Sequence, residues 1–417
     1  MLAPDDAELL ARAPGLEGAW RLLDPEAATA LVHEAAHPSV GRGLRVTVDY
    51  LRYKPSTSLV AGLRVDTSDG ARWAFAVAGS RGHAAKLTKH VSTDVGVPDG
   101  FVPRVTRDLV LVAPLRADPR LKAALRVMSR PFLVVEHAEA AEVLRYRPHR
   151  RLVVRVDGAS GPLAVVRGYP GPAARTMLAA CRSLSRAGLP VPRPRGLRRG
   201  GRLVVFEHLP GVAASDGTDP ALLAAAGALL ARVQGVAPHR RLTELDCAHL
   251  AQGSLGAVHA LVPDSLALAE AVVGRSLDRL AAAPGGAPVT AHGDFSADQL
   301  LVHEHGVSLL DLDRAAADGP AGDPASWFAA EAVAGRWDAG ADPREALAPL
   351  LDTLFTCGPS RPAAPTRRHV DETLRARTAL ALLARVPEPF RVRAPGAPWA
   401  DRCRGLVEAA ARQVGLT

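Results

Sequence analysis

Between Val289 and Arg314 a polar loop is set among short apolar runs, and little else in the chain limits the fold as tightly. The loop reads His292-Gly293-Asp294 and continues to Asp298-Gln299. Leu300 to Val302 and Val307 to Leu310 are β-type runs, and Gly306 supplies a turn between them. A hairpin of this kind brings His292, Asp294, Gln299 and Asp311 toward its mouth. One carboxylate five residues before a carboxamide offers a general base and a neutral oxygen donor. A second carboxylate, at the end of the next apolar run, suits Mg²⁺, which takes oxygen ligands and lets phosphates complete its shell. That chemistry is phosphoryl transfer.

The joint pattern His292-Gly-Asp294-x4-Gln299, then Leu310-Asp311-Leu-Asp313 and Gly322-Asp323-Pro324, resembles the aminoglycoside phosphotransferase and choline-kinase-like superfamily. The resemblance implies an α+β, protein-kinase-like two-lobe fold, with a small antiparallel β lobe and a large helical lobe. It implies Asp294 as the catalytic base, and Gln299 and Asp311 as metal ligands. His292, Asp313 and Asp323 become structural supports, and ATP and Mg²⁺ the cofactors. Glu207, His208 and Leu209, at the end of the apolar run from Leu203, correspond to the linker that meets the adenine. The family's usual residue at Gln299 is Asn; Gln occurs in actinobacterial members and in bacterial maltokinases.

Two departures stand out. The family's phosphate-contacting lysine has no counterpart, because the last lysine of the chain is Lys122; Arg167 stands at its place. Arginine carries the charge without the compact shape of an ammonium, and the following helix offers no acidic partner. Arg167 is open to three readings: a substitute for the lysine in an active enzyme, the mark of a pseudokinase, or a surface arginine. The second departure is in Gly322-Asp323-Pro324-Ala-Ser326-Trp327, where the family's later Asp is missing, which puts the hydrogen bonds bracing the loop in question.

Leu51-Arg-Tyr-Lys-Pro55 returns as Leu144-Arg-Tyr-Arg-Pro148, each followed by a strand, a Gly turn and another strand. Either the chain carries an additional N-terminal α+β domain that duplicates the small lobe, or the match is chance in an arginine-rich chain. On the first reading residues 1–138 are the added domain, 139–211 the small lobe and 212–417 the helical lobe with the catalytic loop. Lys54, Lys86 or Lys89 could then lend a charge to the site. Helices are expected over Asp5 to Ala13, Pro25 to Ala36, 81–91, Pro119 to Met128, Pro172 to Ala187, Pro220 to Val233 and Ala267 to Ala283. Strands are expected at Leu44 to Arg52, Leu59 to Val65, Trp73 to Ala78, Leu109 to Ala113 and Phe132 to Glu136. No clear helix dominates 240–265. Helical periodicity resumes over Arg344 to Cys357, Val370 to Leu383 and Arg402 to Val414.

Composition narrows the partners. The net charge of +8 is spread along the chain, with no zinc-finger or aromatic-rich single-strand motif, so nucleic acid is not an expected partner. Four cysteines without a CxxC pair fit a reduced cytoplasm and no zinc site. No apolar run is long enough for a membrane span, and the N-terminus lacks a signal-peptide pattern. The expected partners are a nucleotide and a small-molecule hydroxyl acceptor: an aminoglycoside, a sugar or a related metabolite. The alternatives are a maltokinase-like sugar kinase, or a pseudokinase-like regulatory module with a protein partner.

Overall fold

The computed structural model describes residues 2–36, 44–67, 70–83, 87, 102–171, 175–239, 247–283, 287–357, 366–393 and 397–416. The chain divides into two compact units. The first comprises Met1–Ala173, Gly196–Val205 and Pro389–Ala400; the second comprises Ala174–Arg195, Phe206–Glu388 and Asp401–Thr417.

The first unit is built on two five-stranded antiparallel sheets. Strands β1 (Arg45–Lys54), β2 (Ser58–Thr67), β3 (Gly70–Gly79), β4 (Arg104–Val105) and β5 (Val110–Pro114) pair in the order β1-β2-β3-β5-β4. Strands β6 (Ala140–Arg147), β7 (Arg151–Gly158), β8 (Gly161–Gly168), β9 (Pro194–Arg198) and β10 (Leu203–Glu207) pair as β6-β7-β8-β10-β9. The second order is the first moved on by one sheet. Register agrees as well. Arg52, Tyr53 and Lys54 lie opposite Val60, Leu59 and Ser58, as Arg145, Tyr146 and Arg147 lie opposite Val153, Leu152 and Arg151. The two copies of the pentapeptide therefore make equivalent hairpins.

They differ by a bulge. Register slips between Val48 and Tyr50 in the first copy, ahead of the repeated motif, and between Val143 and Arg145 in the second, at its first residue. Since strand side chains alternate between faces, the slip decides which ones are covered. Leu51 is 2% exposed, whereas its counterpart Leu144 is 47% exposed.

Both sheets close on a single core. Phe75, Leu111 and Ala113 of the first pack with Tyr146, Val154 and Val166 of the second, and the helix Lys122–Ser129 adds Ala124, Leu125 and Val127. That helix lies close on β8: a Cβ at Gly168 would stand 2.1 Å from the Ala124 Cβ. Tyr146 donates its hydroxyl to buried Asp118 at 2.9 Å, which also accepts from the His149 and Arg120 amides. Burial and the neighbouring Asp118 carboxylate push the Tyr146 phenol well above its ordinary pKa. The expected strand at Phe132 to Glu136 does not form. Pro131 instead opens a short 3-10 turn whose carbonyl accepts from the Val134 and Val135 amides, and Phe132 and Leu133 are exposed.

The second unit is mainly helical. Arg175–Arg186, Pro220–Gly235, Cys247–Leu261, Leu266–Ala282, Gly322–Val333, Ala348–Thr356, Arg367–Arg385 and most of Trp399–Gln413 are its longer helices. Asp219 caps Pro220–Gly235 by accepting from the Ala221 amide, with Pro220 at the first helical position, where its missing N–H costs nothing. Thr366 caps Arg367–Arg385 by accepting from the His369 amide. Arg367–Arg385 turns Val370, Leu374, Ala379, Leu382 and Leu383 inward at helical spacing. Cys247–Leu261 overturns the expectation of no helix there. It buries Ala251, Ser254, Val258 and Leu261, a helical stripe whose small residues give weak hydropathy contrast.

Five short strands stand among these helices: β11 (Val212–Ala213), β12 (Val289–Ala291), β13 (Leu300–His303), β14 (Gly306–Leu309) and β15 (Ala316–Asp318). They form a three-stranded sheet, β11-β13-β14, and the pair β12-β15. Lys86 and Lys89, with most of the expected helix over 81–91, lie outside the described residues. Among the described residues no helix is long and apolar enough to cross a membrane.

Asp318, at the end of β15, is buried against Arg377 at 2.8 Å. Burial is the largest influence on its carboxyl and outweighs the arginine, pushing the pKa up to about 6. A folded-state pKa above the unfolded value of about 3.9 means that the folded chain binds the extra proton between those values. Stability therefore falls as pH rises through this window. Chemical denaturation of wild type and Asp318→Asn should show the wild type losing up to about 3 kcal/mol relative to the variant between pH 4 and 7. A difference that does not change with pH would count against it.

Candidate active site

The loop after β12 is held by a single carboxylate. Asp323, near the start of the helix Gly322–Val333, accepts the His292 amide at 2.8 Å and the Gly293 amide at 2.9 Å. Asp323 is buried, and burial pushes its carboxyl pKa up against the opposing pull of the two amides. The bracing that the altered Gly-Asp-Pro segment called into question is present. Where that segment's later Asp is missing, the Trp327 indole N–H donates to the Gly217 carbonyl at 2.9 Å, and its ring packs on Phe295.

His292 is fully buried, with Nε2 2.7 Å from the Leu310 carbonyl and Nδ1 3.3 Å from the Asp294 amide. A carbonyl only accepts and an amide N–H only donates, so the ring is a neutral imidazole with its proton on Nε2. It ties the loop to the end of β14, a supporting position. Gly293 is at φ +79°, and a Cβ there would stand 2.2 Å from the Arg314 carbonyl. No larger residue fits.

Asp294 follows, half-exposed, and its carboxylate is held on both sides. Arg385 Nη2 donates to Oδ1 at 3.0 Å, and Arg314 Nη1 lies 3.5 Å from Oδ2. Arg385 is largely buried and is itself fixed by Glu388 at 2.8 Å and by Ser326 at 3.2 Å. Burial lowers the Arg385 pKa, but the carboxylates of Glu388, Asp294 and Asp298 outweigh it and raise the net value. The guanidinium thus stays charged. Arg314 is 66% exposed, and a pair so open to water adds little stability.

Gln299 ends a short turn. Its amide nitrogen donates to Asp298 at 3.0 Å, and Asp298 also accepts from Ser296 at 2.6 Å. With the nitrogen so committed, the carboxamide oxygen is the atom left to act as a ligand. The Leu310 amide donates to the Gln299 carbonyl at 2.8 Å, which sets Asp311 one residue from that contact. The β13-β14 hairpin, paired from Leu300 with Leu309 to His303 with Gly306, makes this meeting possible. Asp311 has left-handed backbone angles (φ 57°, ψ 53°), uncommon outside glycine, and Asp313 lies on the one-turn helix after it.

Glu207 closes β10. Its amide donates to the Arg193 carbonyl, and its carboxylate accepts the Arg193 amide at 3.1 Å, so this side chain is occupied in tying strand ends together. His208 and Leu209 follow directly. Arg167 belongs to the first unit, on β8 opposite Val153. The loop residues His292, Asp294, Gln299, Asp311 and Asp323 all belong to the second. The sequence reading missed Arg385, Ser326 and Asp298 as neighbours of the loop. Asp298 stands beside Gln299 and was open to notice, but Arg385 lies 91 residues from Asp294 with no motif to mark it.

Residues 135–350 match the model of the APH family, described as a phosphotransferase enzyme family. No curated protein gives a significant match. Among solved structures, an amicoumacin kinase bound to AMP-PNP, Ca²⁺ and Ami is similar with a TM-score of 0.54 and 12% identity, over 72% of this chain and 94% of that one. The Plasmodium vivax ethanolamine kinase follows at 0.52 and 10%, over 79% and 94%. A choline/ethanolamine kinase family protein from Mesorhizobium loti gives 0.50 and 16%, over 71% and 98%. At such identities these three speak to the fold alone. The family match covers more than half of the chain, and with the α+β fold of those kinases around a braced His-Gly-Asp loop, the chain belongs to the APH phosphotransferase enzyme family.

Proposed function

We propose that the protein transfers the γ-phosphoryl group of ATP to a hydroxyl of a small molecule, with Mg²⁺ as the metal. The observation that carries this reading is the fixed set at the loop: Asp294 aimed by Arg385 and Arg314, beside Gln299 with its nitrogen already bound. Asp294 orients the acceptor hydroxyl and takes its proton as that oxygen bonds to phosphorus, while ADP departs with the electrons of the broken P–O bond. Gln299 through its carboxamide oxygen and Asp311 through its carboxylate would hold Mg²⁺, which would supply positive charge against the phosphates. An all-oxygen donor set of two protein groups suits this ion, whose remaining positions go to phosphate and water. Among the described residues no cluster of three or more His, Cys, Asp or Glu is arranged to hold a metal by itself. Asp323 and His292 keep the loop in place, Asp313 supports the turn after Asp311, and the backbone at Glu207, His208 and Leu209 faces the adenine. Arg167 is proposed as the cation for the nucleotide phosphates on the family resemblance.

A second reading, a nucleotide-binding protein without turnover, draws on the double ion pair at Asp294, which leaves both carboxylate oxygens engaged. Transfer needs the acceptor hydroxyl to displace the looser partner, Arg314. The two readings separate in one experiment. Asp294→Asn should fold as wild type and bind Mg²⁺-ATP, and should lower transfer to a panel of hydroxylated small molecules by about 10² to 10⁴-fold, the scale of a lost general base. Mg²⁺-ATP binding without turnover in the wild type supports the second reading, and absence of both sinks the pair.

The Gln299 arrangement has its own test. Asp298→Ala frees the carboxamide to rotate, so the Mg²⁺ concentration for half-maximal rate should rise about 10-fold, as for other residues that orient a ligand. An unchanged Mg²⁺ requirement would show that Gln299 does not depend on Asp298 for its role.

A further inference from the structure

The first unit contains a cavity of about 800 Å³ that the phosphotransferase reading does not use. Its walls come from β1, β2 and β3 of the first sheet and from β6 of the second, so it exists only because the two hairpin copies face one another. Volumes of this order hold small molecules rather than helices or strands.

The lining is unbalanced in charge. Arg64, Arg72, Arg116, Arg145 and Arg147 line it against two carboxylates, Asp49 and Glu142. Outside the lining, Arg155 engages Glu142 at 2.7 Å and Asp66 engages Arg64 at 3.3 Å, so these two pairs leave the excess of arginines over carboxylates in place. Positive charge extends past the cavity along β1. Arg52, two residues beyond Tyr50, has its guanidinium pKa lowered first by burial and then by Arg150, Arg120 and Arg391, and its buried Nε has no hydrogen-bond partner. Like charges gathered around a hollow repel one another, and a bound anion relieves that repulsion.

Aromatic rings complete the walls. Trp73 is half-buried and directly opposite Arg64 across the β2-β3 ladder. It meets the Tyr146 ring edge-on at 6.2 Å, and Tyr146 is locked by its bond to Asp118. Arg147 stands over the Tyr50 ring at 5.7 Å. Guanidinium forks recognise phosphate oxygens in pairs, and a rigid indole offers a flat apolar surface.

We propose that this cavity is a binding site for a phosphorylated small molecule, with its phosphate among the arginines and its ring on Trp73. The site is separate in sequence from the catalytic loop: every lining residue belongs to the first unit and every loop residue to the second.

Calorimetry and tryptophan fluorescence of the full chain, without ATP, would test it with three phosphorylated probes, pyridoxine 5′-phosphate, glucose 1-phosphate and inorganic pyrophosphate, and with pyridoxine as the uncharged control. Pyridoxine 5′-phosphate should bind, quench fluorescence in a Trp73-dependent way, and exceed pyridoxine in affinity by about tenfold or more, as a charge-assisted phosphate contact requires. Arg145→Glu and Arg64→Gln, both at exposed positions and on opposite walls, should weaken binding by about tenfold without shifting the melting temperature, and Asp294→Asn should leave it unchanged. No binding of any phosphorylated probe at millimolar concentration would overturn the proposal. So would binding that survives both arginine substitutions, or binding lost on Asp294→Asn.

Discussion

The amides of His292 and Gly293 both donate to the buried carboxylate of Asp323, and the geometry of the loop follows from that bond pair. Each amide, buried without an acceptor, would cost about 1–3 kcal/mol. One carboxylate satisfies both, and in doing so fixes the direction in which the next residue leaves. The contact at Gly293 then allows the Arg314 carbonyl to approach to a distance no side chain would permit. His292, with its proton on Nε2, joins the same loop to the end of β14. The backbone path into Asp294 is thereby set by bonds made within the loop itself, and such preorganisation is what the role proposed for Asp294 would require.

Charge around that carboxylate is arranged in order of burial. Arg385 is nearly enclosed and pinned by Glu388 and Ser326, so it acts as a fixed counter-charge. Arg314 is open to solvent and more distant, so water competes with its contact. Asp294 therefore has one partner that stays and one that can yield, and the yielding side is the one that faces solvent.

What was legible in the sequence was local. The His292-Gly293-Asp294 loop, Gln299 and the hairpin are contiguous, and turn chemistry with alternating apolar residues is enough to assemble them. The repeated Leu-Arg-Tyr motif left duplication and chance both open, and the strand orders of the two sheets match. What was not legible depends on packing. Arg385 reaches Asp294 only through the path of a helix far along the chain. The helix Cys247–Leu261 escaped notice because Ala, Gly and Ser bury well without contrasting in hydropathy. Phe132 to Glu136 has strand-like composition, yet Pro131 starts a 3-10 turn there. The bond from Asp323 to the loop was not legible either, because a missing motif residue says nothing about a bond made by the one that remains.

The displaced bulge bears on how the chain avoids tangling with itself. Two hairpins with the same strand order and nearly the same motif invite exchange during folding, each strand having a second partner of similar shape within one chain. A bulge ahead of the motif in one copy and at its first residue in the other puts their face alternation out of step. Between the two slip positions the copies therefore cover different residues, Leu51 buried in one and Leu144 exposed in the other. The slip is thus the backbone difference that tells apart two segments made from almost the same letters.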